Sequence, residues 1–328
     1  MLWYDKGMKI VFLDEGTISL NGDMDFASVA ARGDLVLHQA TAPEQIVSRL
    51  AGAEVAIVNK VVLTAEILGQ LPDLRFIAVI ATGYNNVDID AARSQGIPVA
   101  NVFGYGCNTV SQHAFGMILH LASKLGDYSR DVQAGDWEKQ DSFTLLRYPT
   151  FELAGKTLGV IGFGAIGRAS ARIAEGFGMQ VLVYDAFDFE HPTYTNTPLE
   201  PLLREADIVT VHCPLTEQTR DLIGSEQLRW MKRSALVINT ARGGIVNEAA
   251  LLAALEAGEI AGAGLDSLTA EPPRDNPLLY RPDLNLVITP HSAWSAREAR
   301  QRLIDEVAEN IAAFQLGESR NVVNGPLG

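Results

Sequence analysis

The stretch Thr157-Leu158-Gly159-Val160-Ile161-Gly162-Phe163-Gly164-Ala165-Ile166-Gly167 runs from an apolar segment into three glycines and then into a helical pattern through Ala174. Each glycine has its own reason to be there. Gly162 permits the tight turn, Gly164 lets backbone N–H groups approach a pyrophosphate, and Gly167 lets helix and strand pack closely. Ala165 and Ile166 open a helix whose N-terminus presents partial positive charge to phosphates. The next strand, Val181-Leu182-Val183-Tyr184, ends at Asp185, 18 residues past Gly167. A carboxylate there suits a ribose 2′-hydroxyl and repels a 2′-phosphate, and residues 186–190 bring two further acids and no arginine. The expected cofactor is NAD rather than NADP.

Outward from this turn the same rhythm continues. Strands are legible over 157–161, 181–184, 208–212, 235–239, 260–265 and 286–289, six in all, as a doubly wound dinucleotide fold requires. Upstream, apolar runs over 9–14, 35–37, 55–58, 76–81 and 98–102 alternate with helical patterns over 43–50 and 64–71. Such alternation makes a parallel sheet covered on both faces. A long helix is expected over 109–134, with Val110, Ala114, Met117, Leu121 and Leu125 along one face. Asn247 is a good N-cap for a helix over 248–257. A last helix is expected to start at the capping box Ser295-Ala296-Arg297-Glu298, and its face Leu303, Ile304, Val307, Ile311 and Phe314 is read as returning to the first sheet. The fold class is therefore α/β with two doubly wound parallel-sheet domains and a cleft between them: 1–102 plus 295–328, and 103–294. The aromatic-rich residues 137–153 fit neither period, and either their own domain or a partner subunit would cover them.

Composition agrees with a globular chain and excludes several classes. The 328 residues, 35.5 kDa, are about twice the usual length of one domain. Hydrophobic residues at 47% exclude a disordered or fibrous chain. A net charge of −14 excludes a sequence-independent nucleic-acid binder. Two cysteines, Cys107 and Cys213, fit a reducing compartment. No apolar run reaches the roughly 18–20 residues of a membrane span, and Met1-Leu2-Trp3-Tyr4-Asp5-Lys6-Gly7 lacks a signal-peptide pattern. A cytoplasmic protein with no membrane or nucleic-acid partner is expected.

Three polar residues follow strands of the second series: Arg242, Glu271 and His291. Ligands of open parallel sheets bind beyond the carboxyl ends of strands, so the three belong to one rim. An arginine fork can hold a carboxylate and a neighbouring carbonyl oxygen together. A histidinium can protonate that oxygen, and a glutamate can orient the ring and favour its charged form. The set suits hydride transfer to a small 2-oxo acid. Of the other histidines, His113 and His120 share a helix face without Cys or acid at ligand spacing, so no metal is expected. His38 and His191 have no supporting context, and His212 is read as bordering an adenine pocket.

These residues resemble the D-isomer-specific 2-hydroxyacid dehydrogenases. The likeness covers essentially the whole chain from Met8. It rests on the 162–167 turn with Asp185, on Asn239-Thr240-Ala241-Arg242-Gly243-Gly244, Gly264-Leu265-Asp266, Glu271-Pro272 and Thr289-Pro290-His291. The resemblance implies a flavodoxin-like substrate domain, a Rossmann NAD domain and a homodimer. It implies that Arg242 binds substrate, that His291 is the acid/base and that Glu271 is its partner. Asp266 would contact the nicotinamide side, and Thr240, Ala241, Cys213 and Pro214 would line the cofactor cleft. In Ala81-Thr82-Gly83-Tyr84, the Thr82 and Gly83 amides would hold the substrate carboxylate. Where many relatives carry Glu, this chain has Gln112. Within the family, Asn59-Lys60, residues 81–88, 289–294 and 321–324 most resemble glycerate dehydrogenases (hydroxypyruvate reductases), with Lys60 or Asn59 reaching the C3 group. A phosphoglycerate dehydrogenase would want more basic residues than Lys60, Arg75 and Arg93 over 50–105, and room for a regulatory domain beyond the 37 residues that follow His291. A non-catalytic NAD-sensing protein of the same fold is the reading from another class.

Overall fold

Short apolar strands joined by helices have little choice but parallel pairing, because each crossover returns the chain to the same edge. The computed structural model describes residues 7–325, so the leader reading of residues 1–6 lies outside the described residues. The chain divides into Met1–Tyr105 with Ser295–Gly328, and Gly106–Trp294.

The first unit holds β1 (Lys9–Phe12), β2 (Asp34–Leu37), β3 (Val55–Val58), β4 (Phe76–Val79) and β5 (Val99–Ala100). They pair in the order β2-β1-β3-β4-β5, all parallel, which is the flavodoxin-like order. Val11, Leu13, Ala56, Val58, Ile77 and Val79 bury one face against Ile46, Leu50 and Leu68. The helix Arg297–Gln315 belongs to this unit and places Phe314 on Phe76, ring centroids 4.7 Å apart. Its Arg300, 8% exposed, donates to both Asp23 carboxylate oxygens at 2.9 and 2.7 Å and to the Ile18 carbonyl at 2.8 Å.

The second unit holds β6 (Thr157–Ile161), β7 (Gln180–Tyr184), β8 (Ile208–Val211), β9 (Leu236–Asn239), β10 (Gly262–Leu265) and β11 (Leu286–Ile288). Their order is β11-β10-β9-β8-β6-β7. The strand direction of travel reverses at β6, whose neighbours are β7 and β8, and a crevice for a ligand forms at such a point. The helix Cys107–Ser123 covers one face with Met117, Ile118 and Leu121, against Leu158, Val160 and Ile238. The helix Glu248–Glu256 covers the other with Leu251 and Leu255, and Asn247 caps it by accepting from the Ala250 N–H at 2.9 Å.

Three expectations need correction. The single helix over 109–134 is two helices, Cys107–Ser123 and Leu125–Gln133, because Lys124 turns left-handed at φ +56°. Its ammonium bonds the Asn285 side chain, and burial lowers its pKa. The capping box at Ser295 does not form: the helix starts at Arg297 with no side-chain cap, and the Ser295 carbonyl accepts from Arg300 Nε instead. The aromatic-rich segment divides, with Leu153 buried and Phe151 packed on the unit's own core while Phe143 and Leu146 are 90% and 88% exposed.

Candidate active site

The glycine turn has the geometry its spacing requires. Gly162 sits at φ +91°, and a Cβ there would lie 2.5 Å from the Cys213 nitrogen, so Cys213 closes directly over the turn. A Cβ on Gly167 would lie 2.1 Å from the Gly162 carbonyl oxygen. A Cβ on Gly164 meets nothing within 4 Å, which leaves open space above the helix N-terminus where Ala165 and Ile166 begin the coil. Asp185 follows β7, and its two oxygens accept from the Phe163 N–H at 2.6 Å and the Phe187 N–H at 3.0 Å. Each carboxylate oxygen has two lone pairs, so capacity for ribose hydroxyls remains. Arg168 is the nearest cation on the following helix, but it stacks over Phe163 at 4.5 Å and bonds that residue's carbonyl. Thr240 Oγ1 is buried without a partner among the described residues, as is His212 Nδ1. His212 Nε2 lies between Ser170 Oγ and Thr210 Oγ1, and burial lowers the ring's pKa to about 3. Burial likewise pushes the Cys213 thiol up to about 11, so it is no nucleophile. Ala241 and Pro214 lie beside these groups in sequence, half-buried and exposed respectively. An open anion site, a strand-end carboxylate and an orphan hydroxyl fit a dinucleotide.

The rim beyond β9, β10 and β11 brings the reactive residues together. Asn239, 1% exposed, accepts from the Ala241 N–H and donates to the Arg242 carbonyl, which fixes the loop carrying Arg242. A Cβ on Gly243 would lie 2.0 Å from the Leu268 carbonyl carbon, so this loop lies against the backbone that leads to Glu271. Arg242 is exposed, and its guanidinium donates to the Ala241 carbonyl at 2.8 Å. Glu271 uses Oε1 to accept from the Leu268 N–H at 3.0 Å and Oε2 to meet His291 Nδ1 at 2.6 Å. That bond leaves His291 Nε2 as the nitrogen available to a substrate. His291 sits at φ +51°, a conformation costing about 1 kcal/mol or more for a residue with Cβ. Its backbone is tied at both ends: the N–H donates to the Asp266 carbonyl at 2.8 Å, and the carbonyl accepts from Trp294 Nε1 at 2.9 Å.

Asp266 is the most heavily bonded carboxylate of this rim. It is 1% exposed, and it accepts from Thr289 Oγ1 at 2.5 Å and from the Ser292 and Ala293 N–H groups at 2.9 Å each. Its carboxylate braces the turn that carries His291, and Oδ2, with one donor, keeps a lone pair for a further partner. A cavity of about 970 Å³ is lined by Glu271, His291, Leu278, Tyr280 and Ile288, yet neither Arg242 nor the glycine turn borders it.

In the first unit Lys60 is exposed, whereas Asn59 is buried, with its amide nitrogen donating to Thr17 Oγ1. Thr82 and Gly83 are exposed, and their amides meet no acceptor among the described residues. Gln112 is exposed, while its neighbour His113 meets Thr289 Oγ1 at 2.9 Å. Sequence reasoning set His113 aside, since no spacing along the chain signals a residue 176 positions away. No cluster among the described residues could hold a metal ion, and none of their helices is long and apolar enough to cross a membrane.

A dinucleotide fold with an Arg, Glu and His rim defines a nicotinamide-dependent oxidoreductase. Residues 115–293 match the D-isomer specific 2-hydroxyacid dehydrogenase NAD-binding domain, and the chain belongs to that family. It is 49% identical over 282 residues to a glycerate dehydrogenase of Methylorubrum extorquens, covering 86% of this chain and 88% of the relative. It is 38% identical over 324 residues to a hydroxypyruvate reductase of Blautia hydrogenotrophica, covering 97% and 100%. A D-lactate dehydrogenase of Aquifex aeolicus, solved with NAD and lactic acid, superposes with TM-score 0.79 at 30% identity over 97% of this chain and all of that one. The chain is an NAD-dependent enzyme acting on D-2-hydroxy acids and their 2-oxo counterparts.

Proposed function

We propose that this enzyme reduces hydroxypyruvate, and more slowly glyoxylate, to D-glycerate and glycolate. The observation that carries the reading is the 2.6 Å bond between His291 Nδ1 and Glu271, beside an arginine loop packed on the same backbone. When bound, the nicotinamide would supply a hydrogen together with its electron pair to the substrate carbonyl carbon. Arg242 binds the carboxylate and polarises the carbonyl oxygen through its fork. His291 gives its Nε2 proton to that oxygen, and Glu271 holds the ring and stabilises the imidazolium before transfer. Asp185 takes the ribose hydroxyls, the 162–167 turn takes the pyrophosphate, and Thr240 donates its orphan hydroxyl to the cofactor. In the first unit we assign the free amides of Thr82 and Gly83 to the carboxylate and the exposed Lys60 ammonium to the C3 hydroxyl. The exposed Phe143 and Leu146 support a homodimer, and a cysteine count of two suits the cytoplasm.

A panel of 2-oxo acids followed by NADH oxidation tests the substrate. Hydroxypyruvate should give the highest kcat/KM, glyoxylate less because it forgoes bonds of about 1 kcal/mol each, and 3-phosphohydroxypyruvate the least because its phosphate adds about two negative charges. A kcat/KM for the phosphorylated acid equal to that for hydroxypyruvate overturns the assignment. No turnover of any 2-oxo acid would favour the NAD-sensing reading.

A further inference from the structure

The helix Cys107–Ser123 brings a second imidazole to the reacting rim. His113 Nε2 lies 2.9 Å from Thr289 Oγ1, and the same hydroxyl lies 2.5 Å from Asp266 Oδ1. An ionised carboxylate only accepts, and a threonine hydroxyl has a single proton. That proton goes to Asp266. The Thr289 oxygen therefore accepts its other bond, and His113 must present Nε2–H. The imidazole is a quarter exposed and its Nε2 is 3.6 Å from Asp266 Oδ1, too far for a direct bond. Its effect on the carboxylate passes through the threonine.

Beyond Asp266 the chain of bonds reaches the acid/base. The carboxylate takes the Ser292 and Ala293 N–H groups, and the Asp266 carbonyl takes the His291 N–H. These bonds hold the turn in which His291 keeps its left-handed backbone and its reach to Glu271.

We propose that His113 is a positioning residue for His291. Its Nε2–H fixes the Thr289 hydroxyl on Asp266, and Asp266 so fixed clamps the turn that aims the acid/base. The proposal rests on the reading of His291 as proton donor, and it gives His113 no contact with substrate or cofactor.

The test compares His113→Leu, His113→Gln, Thr289→Val and the double variant His113→Leu/Thr289→Val in the full-length enzyme, with hydroxypyruvate and NADH. His113→Leu and Thr289→Val should each lower kcat about tenfold, as expected for one link of a coupled network. NADH affinity, read by fluorescence titration, should stay within about twofold. Gln carries its N–H near the place of the imidazole Nε2–H, so His113→Gln should recover most of the loss. The double variant should be no slower than either single one, because both break the same link. An unchanged kcat in His113→Leu, no recovery in His113→Gln, multiplying losses, or a parallel fall in NADH affinity would each overturn the proposal. His291→Ala separates the two levels. If it turns over like the unmodified enzyme, the proton-donor reading fails. If it is inactive while His113→Leu is unimpaired, only the positioning role fails.

Discussion

Asp14 and Asp266 perform the same local task in different units, and the contrast between them shows how a fold device becomes a catalytic one. Each follows a parallel strand and caps the turn after the neighbouring strand: Asp14 after β1 serves the turn after β3, and Asp266 after β10 serves the turn after β11. Both are buried, at 3% and 1% exposure. Asp14 accepts from the Asn59, Lys60 and Val61 N–H groups at 2.9, 2.6 and 3.0 Å. Three backbone donors satisfy it. Asp266 takes two backbone donors and a threonine hydroxyl, and through that hydroxyl it meets His113. The first carboxylate takes backbone donors alone. The second takes a side-chain hydroxyl as well, and its turn carries a histidine in a conformation that a free chain avoids.

The comparison is broken most directly at the residues the second turn serves. His291→Ala and Arg242→Ala should each cut kcat/KM by about 10²–10⁴, the range for a lost acid or an oriented charge. NADH affinity should hardly change, since neither residue belongs to the glycine turn. Steady-state kinetics with a separate NADH titration checks both, and a variant that loses cofactor affinity in proportion to rate contradicts the division of roles.

The aspartates themselves come next. Asp266→Asn should lower kcat by about 10²-fold, because an amide offers fewer acceptors and unseats the His291 turn. Asp14→Asn should instead lower the thermal midpoint, with one or more buried N–H groups left unpaired at about 1–3 kcal/mol each, while kcat stays within about threefold. Calorimetry and kinetics on both variants decide it. Equal kcat losses would dissolve the distinction between the two turns.

Legibility in the sequence follows the range of the interactions. The 162–167 turn, the strands and the Asn247 cap depend on neighbours within a few residues, so spacing and residue type reveal them. Arg242, Glu271 and His291 were legible because each stands just past a strand end, and parallel topology gathers such ends on one rim. Asp266 was legible as a residue of that rim, but its bonds to 289–293 were not, since those partners become neighbours only when β10 and β11 pair. His113 was hidden for the same reason. Lys124 was hidden differently: a lysine carries no propensity for φ +56°, and the long-range bond to Asn285 accompanies a break that helical periodicity alone does not show.

Asp185 is the open form of the same strand-end device, and it sharpens the comparison through cofactor choice. It is half-buried and holds only the Phe163 and Phe187 N–H groups, so acceptor capacity is left for ligand. NADH should be preferred over NADPH. Asp185→Ser with Ala186→Arg should narrow or reverse that preference, measured as the ratio of kcat/KM for the two cofactors. Equal use of both by the unmodified enzyme would refute the role given to Asp185.

The smallest effect concerns a carboxylate of the first unit that pairs with a guanidinium rather than with amides. The Arg300 fork, followed by the Leu20 N–H, lowers the Asp23 pKa to about 2 from its ordinary 3.8. A depressed folded-state value means that the unfolded chain binds the proton more readily. The pair therefore contributes stability that is fully present above about pH 4 and is lost as pH falls toward 2. His212 adds to the acid limb over a higher window: its ring stays neutral down to about pH 3 when folded and charges near 6.5 when unfolded, so stability from its burial fades between those values. Asp23→Asn should flatten part of the fall in thermal midpoint between pH 4 and 2 and leave the fall between 6.5 and 4 in place, because His212 titrates across the upper window and Asp23 only in the lower one. The effect will be modest, since Asp23 is partly exposed to solvent that screens the pair. Midpoints measured across both windows for the variant and the unmodified enzyme give the answer, and an unaltered slope below pH 4 would show that Arg300 holds its helix without help from the charge on Asp23.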